Sequence, residues 1–499
     1  MSNAKLVPAA SYAALLGGAV LLGAAIAQVH WQLSLTAGVA ALAVLGLVAL
    51  RAVVSPALPA VEPHVALTVE DDPRLRPARL AYYAGAATIG FLTVRPALGF
   101  TASDWIFLAA LGVAALVIVQ QGITPYYRIP RAVTIGALLF ALGGLLSSIE
   151  AVAPYGSALV VVRMLYLTLV WFWLGSIVLQ TRSHVQNALV AWVSSAALSS
   201  SGAVIQFLYG DVIPGGTIAW GRTTGFTEHP NVLGGLAATA FVPALMLAVD
   251  SPQRRMRVIG TASTGLLAAG LLLSGSVGGL LAATVATMVW LALRGVSLRI
   301  LVSGAVILAS AVLLMTATGN TDSPSPINRI QRVSSAEEAA AGTGGTIYTR
   351  IEGFALAWSR ITEQPLVGVG LDQSSSLEVL GKHTLHNLVL GPWLTAGVLG
   401  LVGIVLLIAG AISTGFRVLR HSPSQNRSFD AALLAALVAF VQHGMGEPIL
   451  FVRYGWFPTA LLIALGAQQF QIRARSTEEP GLRRQRFDTP SVAYGRRAR

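Results

Sequence analysis

The sequence predicts an all-α protein: a polytopic transmembrane helical bundle of about 12–14 spans, with a long extracytoplasmic loop containing an amphipathic helix. Three observations lead there. Of 499 residues, 55% are hydrophobic and only 11% are charged, and the mean hydropathy is +0.70. A soluble domain carries roughly 25% charged residues, so lipid must solvate much of this surface. Apolar stretches near the length needed to cross the hydrocarbon core, about 20 residues, recur along the chain. Basic residues gather in every second connection between those stretches, the pattern of cytoplasmic loops.

The stretches fall near residues 10–28, 32–54, 79–98, 104–121, 132–152, 157–180, 185–208, 231–249, 258–274, 277–293, 299–317, 388–413, 430–446 and 454–471. The first runs directly into the second without a small-residue cleavage site and reads as a retained helix. The chain divides into an N-terminal helix pair (1–54), a cytoplasmic linker rich in Pro and charge (55–78) and a transmembrane bundle (79–317). A long extracytoplasmic loop (318–387), C-terminal helices (388–471) and a basic cytoplasmic tail (472–499) follow.

Most of the 33 Lys and Arg lie in one set of connections, including Arg74, Arg76, Arg79, Arg131, Arg182, Arg254, Arg255, Arg294, Arg417, Arg420 and the tail. That set is cytoplasmic by the positive-inside rule. Both termini are then inside a multi-pass protein of the cytoplasmic membrane, and any chemistry is extracytoplasmic. The net charge of +12 is spread over the ends of apolar segments and forms no single patch, which argues against nucleic acid. With no cysteine, disulfides, thiolate metal sites and cysteine nucleophiles are excluded.

The outer set of connections is poor in cations, so its arginines require a reason. In 220–231, Arg222 stands among small residues just before Pro230 and Asn231, which suit the first turn of a helix. A guanidinium beside a helix N-terminus can hold an anion such as phosphate; an interfacial Arg meeting lipid headgroups is the plainer reading. Within the long loop, Tyr348, Ile351, Phe354, Ala355, Trp358 and Ile361 recur at helical spacing, with Arg350, Glu352 and Arg360 elsewhere on the wheel. Arg350 could equally face water. The turn from Gln364 to Gly370 is Gly-rich and permits close approach of a ligand or a neighbouring helix. Lys382, His383, His386 and Asn387 precede a strongly apolar span. No third ligand accompanies the two histidines, so no metal site is assigned. A histidine at the membrane surface can act as a general base, or simply bond a helix end. Glu447, His443 and Arg453, and Arg163 with Glu150, mark either a functional site or structural ion pairs.

Taken as an ordered set, these segments resemble the O-antigen ligase and O-antigen polymerase superfamily of bacterial membrane glycosyltransferases. The resemblance rests on Arg222 and Gly225 with Pro230-Asn231, on Arg350 with Trp358 and the Pro365–Gly370 turn, and on His386-Asn387 followed by Gly397. It covers roughly residues 80–470. One departure is Val277, where many relatives carry Arg.

The resemblance implies transfer of a glycan from a polyprenyl pyrophosphate carrier to an acceptor hydroxyl on a glycan, lipid or protein, in cell-surface polysaccharide assembly. It implies no cofactor and no metal. It makes Arg222 and Arg350 stabilisers of the leaving pyrophosphate and His386 the base, with inversion at the anomeric carbon. Asn231, Asn387, Tyr348, Trp358 and Lys382 would bind substrate, beside the bilayer and envelope-assembly partners. Ligase and polymerase both remain open, with a transporter or flippase of lipid-linked sugars as a reading from another class and a membrane scaffold as a third.

Overall fold

The computed structural model describes residues 71–95, 100–121, 129–219, 221–296, 346–381, 385–448 and 450–469. The apolar stretches 10–28, 32–54 and 299–317, the linker, the tail, Lys382 and His383 lie outside the described residues.

Each remaining apolar stretch is seen as a helix. We number them α1 (Arg76–Thr88), α2 (Ala102–Gln121), α3 (Arg131–Ser148), α4 (Pro154–Val178), α5 (Arg182–Tyr209), α6 (Pro230–Asp250), α7 (Arg254–Ser274) and α8 (Val277–Leu293). The series continues with α9 (Thr346–Glu363), α10 (Gln373–Leu380), α11 (Leu390–Arg420), α12 (Arg427–Gly444) and α13 over 453–469. Among the described residues, α2 to α7 and α11 are long and apolar enough to cross a membrane, and α8 is a shorter apolar helix. The protein is an all-α, multi-pass membrane bundle.

Helix α1 stops short of the stretch 79–98. Past Thr88 the backbone turns away, and its polar groups find protein partners: Gly90 N donates to Ser195 Oγ (2.7 Å) and Thr93 N to the Phe226 carbonyl (3.2 Å). Non-helical backbone at this depth survives only when protein satisfies it.

Small residues set the tightest helix pairing. A Cβ on Gly136 of α3 would lie 2.6 Å from the Gly403 carbonyl of α11, so these backbones touch. Apolar burial does little between helices in lipid, whereas such close contact maximises dispersion. Elsewhere in the core Tyr82 meets Phe107 edge-on with centroids 4.9 Å apart, and Phe107 packs at a tilt against Trp171 with centroids 4.2 Å apart. Helix α12 is buried on nearly all sides and forms the centre of the bundle.

Helix α11 breaks at Gly397, whose φ of 66° and ψ of −165° suit only glycine. The Gln364–Gly370 turn fills the break. Val398 N donates to the Pro365 carbonyl (3.1 Å), Val369 N to that of Leu394 (2.9 Å) and Gly370 N to that of Thr395 (3.1 Å). A Cβ at Gly397 would sit 2.1 Å from the Leu366 carbonyl. The Gly-rich turn therefore approaches a neighbouring helix, and it anchors α9 and α10 over the end of α11.

Candidate active site

Four helix ends converge at one end of the bundle: the start of α6, the end of α12, the start of α11 and the first turns of α9. Each delivers a polar group. Glu447, three residues past the end of α12, is the point where they meet.

Arg222 is placed by a short hairpin that the sequence reading did not anticipate. Strands β1 (Ile218–Ala219) and β2 (Arg222–Thr223) pair antiparallel, with Ala219 opposite Arg222 and a turn at Gly221 (φ 70°). The hairpin is tied to α5 by the Gln206 carboxamide oxygen, which accepts from Thr224 N (3.1 Å) and Gly225 N (2.7 Å). Gly225 has φ 58°, and a Cβ there would meet the Ser199 carbonyl at 2.2 Å. This explains Gly225 by contact instead of by ligand. Arg222 is buried; its Nε donates to the Ser274 carbonyl (2.6 Å) and a terminal nitrogen to Asn231 Oδ1.

Asn231 passes the connection on. Its Nδ2 donates to Glu447 Oε1 (2.6 Å), and its own carbonyl accepts from His443 Nε2 (3.0 Å). His229 caps α6 by accepting from Asn231 N (3.2 Å). Arg350, on the second turn of α9, donates to the same Glu447 Oε1 at 2.5 Å. His386 Nδ1 meets Glu447 Oε2 at 3.2 Å. One carboxylate thus joins Arg350 and His386 directly, and Arg222 through Asn231.

Burial alone pushes the Glu447 carboxyl upward. The hydrogen bond from His386 and the charge of Arg350 outweigh it and bring the pKa down to about 2. Glu447 is therefore an anion at neutral pH. An ionised carboxylate only accepts, so His386 Nδ1 is the donor, and in the neutral ring Nε2 is the nitrogen with the lone pair. The Glu447 side chain is 6% exposed, His386 24% and Arg350 29%, so His386 and Arg350 reach outward from a buried anion. A carboxylate that orients an imidazole with a free nitrogen outward is an arrangement suited to removing a proton from a hydroxyl.

The remaining expected residues sit elsewhere. Asn387 is committed to helix capping: its Oδ1 accepts from Val389 N and Leu390 N, both at 2.8 Å, and its Nδ2 donates to the Met445 carbonyl (3.4 Å). Trp358 is half-exposed and packs edge-on against Trp393 with centroids 5.9 Å apart. Tyr348 is half-buried at the start of α9. Val277 begins α8 behind Ser276, whose Oγ accepts from Gly279 N (3.1 Å).

Arg453 does not join Glu447 and His443. It pairs with buried Asp104 at 2.6 Å, beside Arg95 and Arg163 around a small cavity of about 50 Å³. Arg163 lies over the Phe100 ring (5.6 Å) and lines that cavity with Asp104 and Arg453. Among the described residues, no group of three His, Asp or Glu is placed to hold a metal ion. The centrality of Glu447 was the signal most open to being found from sequence: it is the one carboxylate between the apolar stretches 430–446 and 454–471.

Residues 262–405 match the profile of the O-antigen ligase family. This supports membership of the O-antigen ligase and polymerase superfamily, whose members are glycosyltransferase-like enzymes that act in membranes on lipid-linked glycans. The matched region contains Arg350, His386 and Asn387; Arg222, Asn231 and Glu447 lie outside it. No curated protein matches the chain.

Proposed function

We propose that this membrane protein is an O-antigen ligase-like glycosyltransferase. It moves a glycan from a polyprenyl pyrophosphate carrier to an acceptor hydroxyl on the extracytoplasmic side of the cytoplasmic membrane. The observation that carries this reading is the shared carboxylate of Glu447. It gathers His386, Arg350 and, through Asn231, Arg222 from segments that are far apart in sequence.

In the reaction the acceptor oxygen attacks the anomeric carbon as the bond from that carbon to the pyrophosphate oxygen breaks. The hydroxyl proton passes to His386 Nε2, which Glu447 holds in the accepting tautomer and balances electrostatically once the ring is charged. Negative charge grows on the departing pyrophosphate. Arg350, on the exposed side, is the group that meets it, since a guanidinium offers five donors and Glu447 occupies only part of that fork. Arg222 adds positive charge from beneath and holds Asn231 in place. Fixed donors in a site poor in water stabilise developing charge strongly. A single displacement inverts the anomeric centre.

The fold also suits a lipid-linked donor. Exposed Leu356, Trp358, Leu366 and Val367 on and after α9 offer an apolar surface beside the site, and a tryptophan such as Trp358 suits a membrane interface.

The test is complementation of a deletion strain, with surface polysaccharide and carrier-linked glycans resolved by gel and mass spectrometry. Wild type should restore the surface product, and His386→Ala, Arg350→Ala and Arg222→Ala should not, although each still reaches the membrane. Long polymer stranded on the carrier identifies a ligase, and stranded single repeat units identify a polymerase. Full complementation by all three variants would refute the catalytic reading in favour of a scaffold. Carrier-linked glycan trapped on the cytoplasmic face would make the protein a transporter.

A further inference from the structure

The end of the bundle opposite Glu447 holds a second feature that glycosyl transfer does not use. Helix α11 runs from Leu390, beside His386, to Arg417, a rise of roughly 40 Å at 1.5 Å per residue. Around Arg417 the helices part, and a cavity of about 1370 Å³ opens between α2, α3, α4, α11 and α13. Small-molecule pockets run to roughly 300–1,000 Å³, so this one is large.

Its chemistry is divided. Arg131, Arg417 and His421 line it and are exposed, and no carboxylate is among the lining residues. Leu169, Val170 and Trp173 form an apolar wall. That wall is made where α4 winds into a π-helical turn, Tyr166–Val170. Such turns insert an extra residue, displace the side chains that follow, and are found often at functional sites.

The two arginines stand apart from their neighbours. At this same end Arg182 is paired with Asp430, and Arg294 with Asp250 at 2.7 Å. Among the described residues, Arg131 and Arg417 pair with no acid. A guanidinium keeps its charge under all ordinary conditions and binds phosphate through a planar fork.

We propose that this cavity binds an anionic phospholipid from the adjacent leaflet, with its phosphate between Arg131 and Arg417 and its acyl chains along the Leu169–Trp173 wall. The ligand must combine a phosphate with apolar chains, which is what the divided lining recognises. The inference concerns a site remote from Glu447 and stands whether or not the transfer reaction is as proposed.

The experiment uses the full chain in nanodiscs that contain equal amounts of phosphatidylglycerol and phosphatidylcholine, followed by native mass spectrometry of retained lipid. Phosphatidylglycerol should be retained preferentially. The Arg131→Gln/Arg417→Gln double variant should lose that preference by about fivefold for each charge removed, and Arg131→Lys/Arg417→Lys should keep most of it. Unchanged thermal unfolding of the variants shows that they are folded. A benzophenone side chain placed at Leu169 should crosslink to phospholipid. Equal retention of both lipids by the wild type, or an unaltered preference in the Gln variant, overturns the proposal. So does crosslinking of Leu169 to residues 1–70, which would mean that the chain's own N-terminal stretch fills the cavity.

Discussion

At the end of the bundle near Arg417, two acids each take one guanidinium: Asp430 with Arg182, and Asp250 with Arg294. At the other end one buried carboxylate, Glu447, is shared among Arg350, His386 and Asn231, with Arg222 one step behind. The difference lies in stoichiometry. A one-to-one pair neutralises itself and does nothing beyond holding two helices together. A carboxylate set among two guanidinium groups leaves positive charge and an oriented imidazole available to something else, and such clusters often mark functional sites. On the reading proposed above, Arg182–Asp430 is architecture, whereas Glu447 organises chemistry.

The contrast breaks most sharply at Glu447 itself. Glu447→Gln keeps the shape but removes the charge that orients His386, and transfer should fall roughly 10²–10⁴-fold, read as product formed per folded molecule. The same variant tests the acid limb. The folded pKa of Glu447 is held below its ordinary value of 4.5, at about 2. Its contribution to stability is thus complete above pH 4.5 and is lost as pH falls from there through 2. Wild type should lose thermal stability across that window, and Glu447→Gln should show a shallower loss.

Asp430→Ala sharpens the other side of the comparison. Asp430 is fully buried and Arg182 only partly exposed, so removing the acid should cost about 3 kcal/mol of stability. Activity per folded molecule should be unchanged. If this variant instead abolished transfer without unfolding, the division between architecture and chemistry would be wrong.

Next comes the break in α11. Gly397→Ala forces a side chain into a backbone region reserved for glycine, at a cost of about 2 kcal/mol, and drives its Cβ into the Leu366 carbonyl. We expect a lower unfolding temperature together with loosening of the 364–370 turn, measured by hydrogen exchange. Asn387→Ala should have the smallest effect. It removes a cap from α11, worth about 1 kcal/mol, and because Asn387 is occupied with Val389 N and Leu390 N, transfer should fall far less than in His386→Ala.

Much of this protein was legible before any coordinates. Lipid imposes strong rules: a span must be about 20 residues of apolar helix, so the stretches from 104–121 to 277–293 stand in the sequence nearly where the helices lie. The amphipathic period over 347–362 marked α9, observed as Thr346–Glu363. Arg222 and Arg350 could be singled out because cations are scarce on that set of connections, and scarcity is a property of sequence; His386 stood out by its place just before a strongly apolar span.

What only the tertiary structure decided is which of these residues meet, and what each does there. Glu447 looked like one member of an ion pair with Arg453, yet Arg453 went to Asp104, on a different helix, and left Glu447 to the site. Asn231 proved to be a bridge, and Asn387 a cap. The short end of α1 and the tie of the Arg222 hairpin to Gln206 were likewise invisible, because each exists through hydrogen bonds between different elements of the fold; the Gly-rich turn at 364–370 was legible as a place of close approach, but not the break in α11 that it fills. The physical reason is general. Solvation by lipid acts residue by residue and leaves a periodic trace, whereas satisfying a buried polar group takes a partner whose place only the folded bundle specifies.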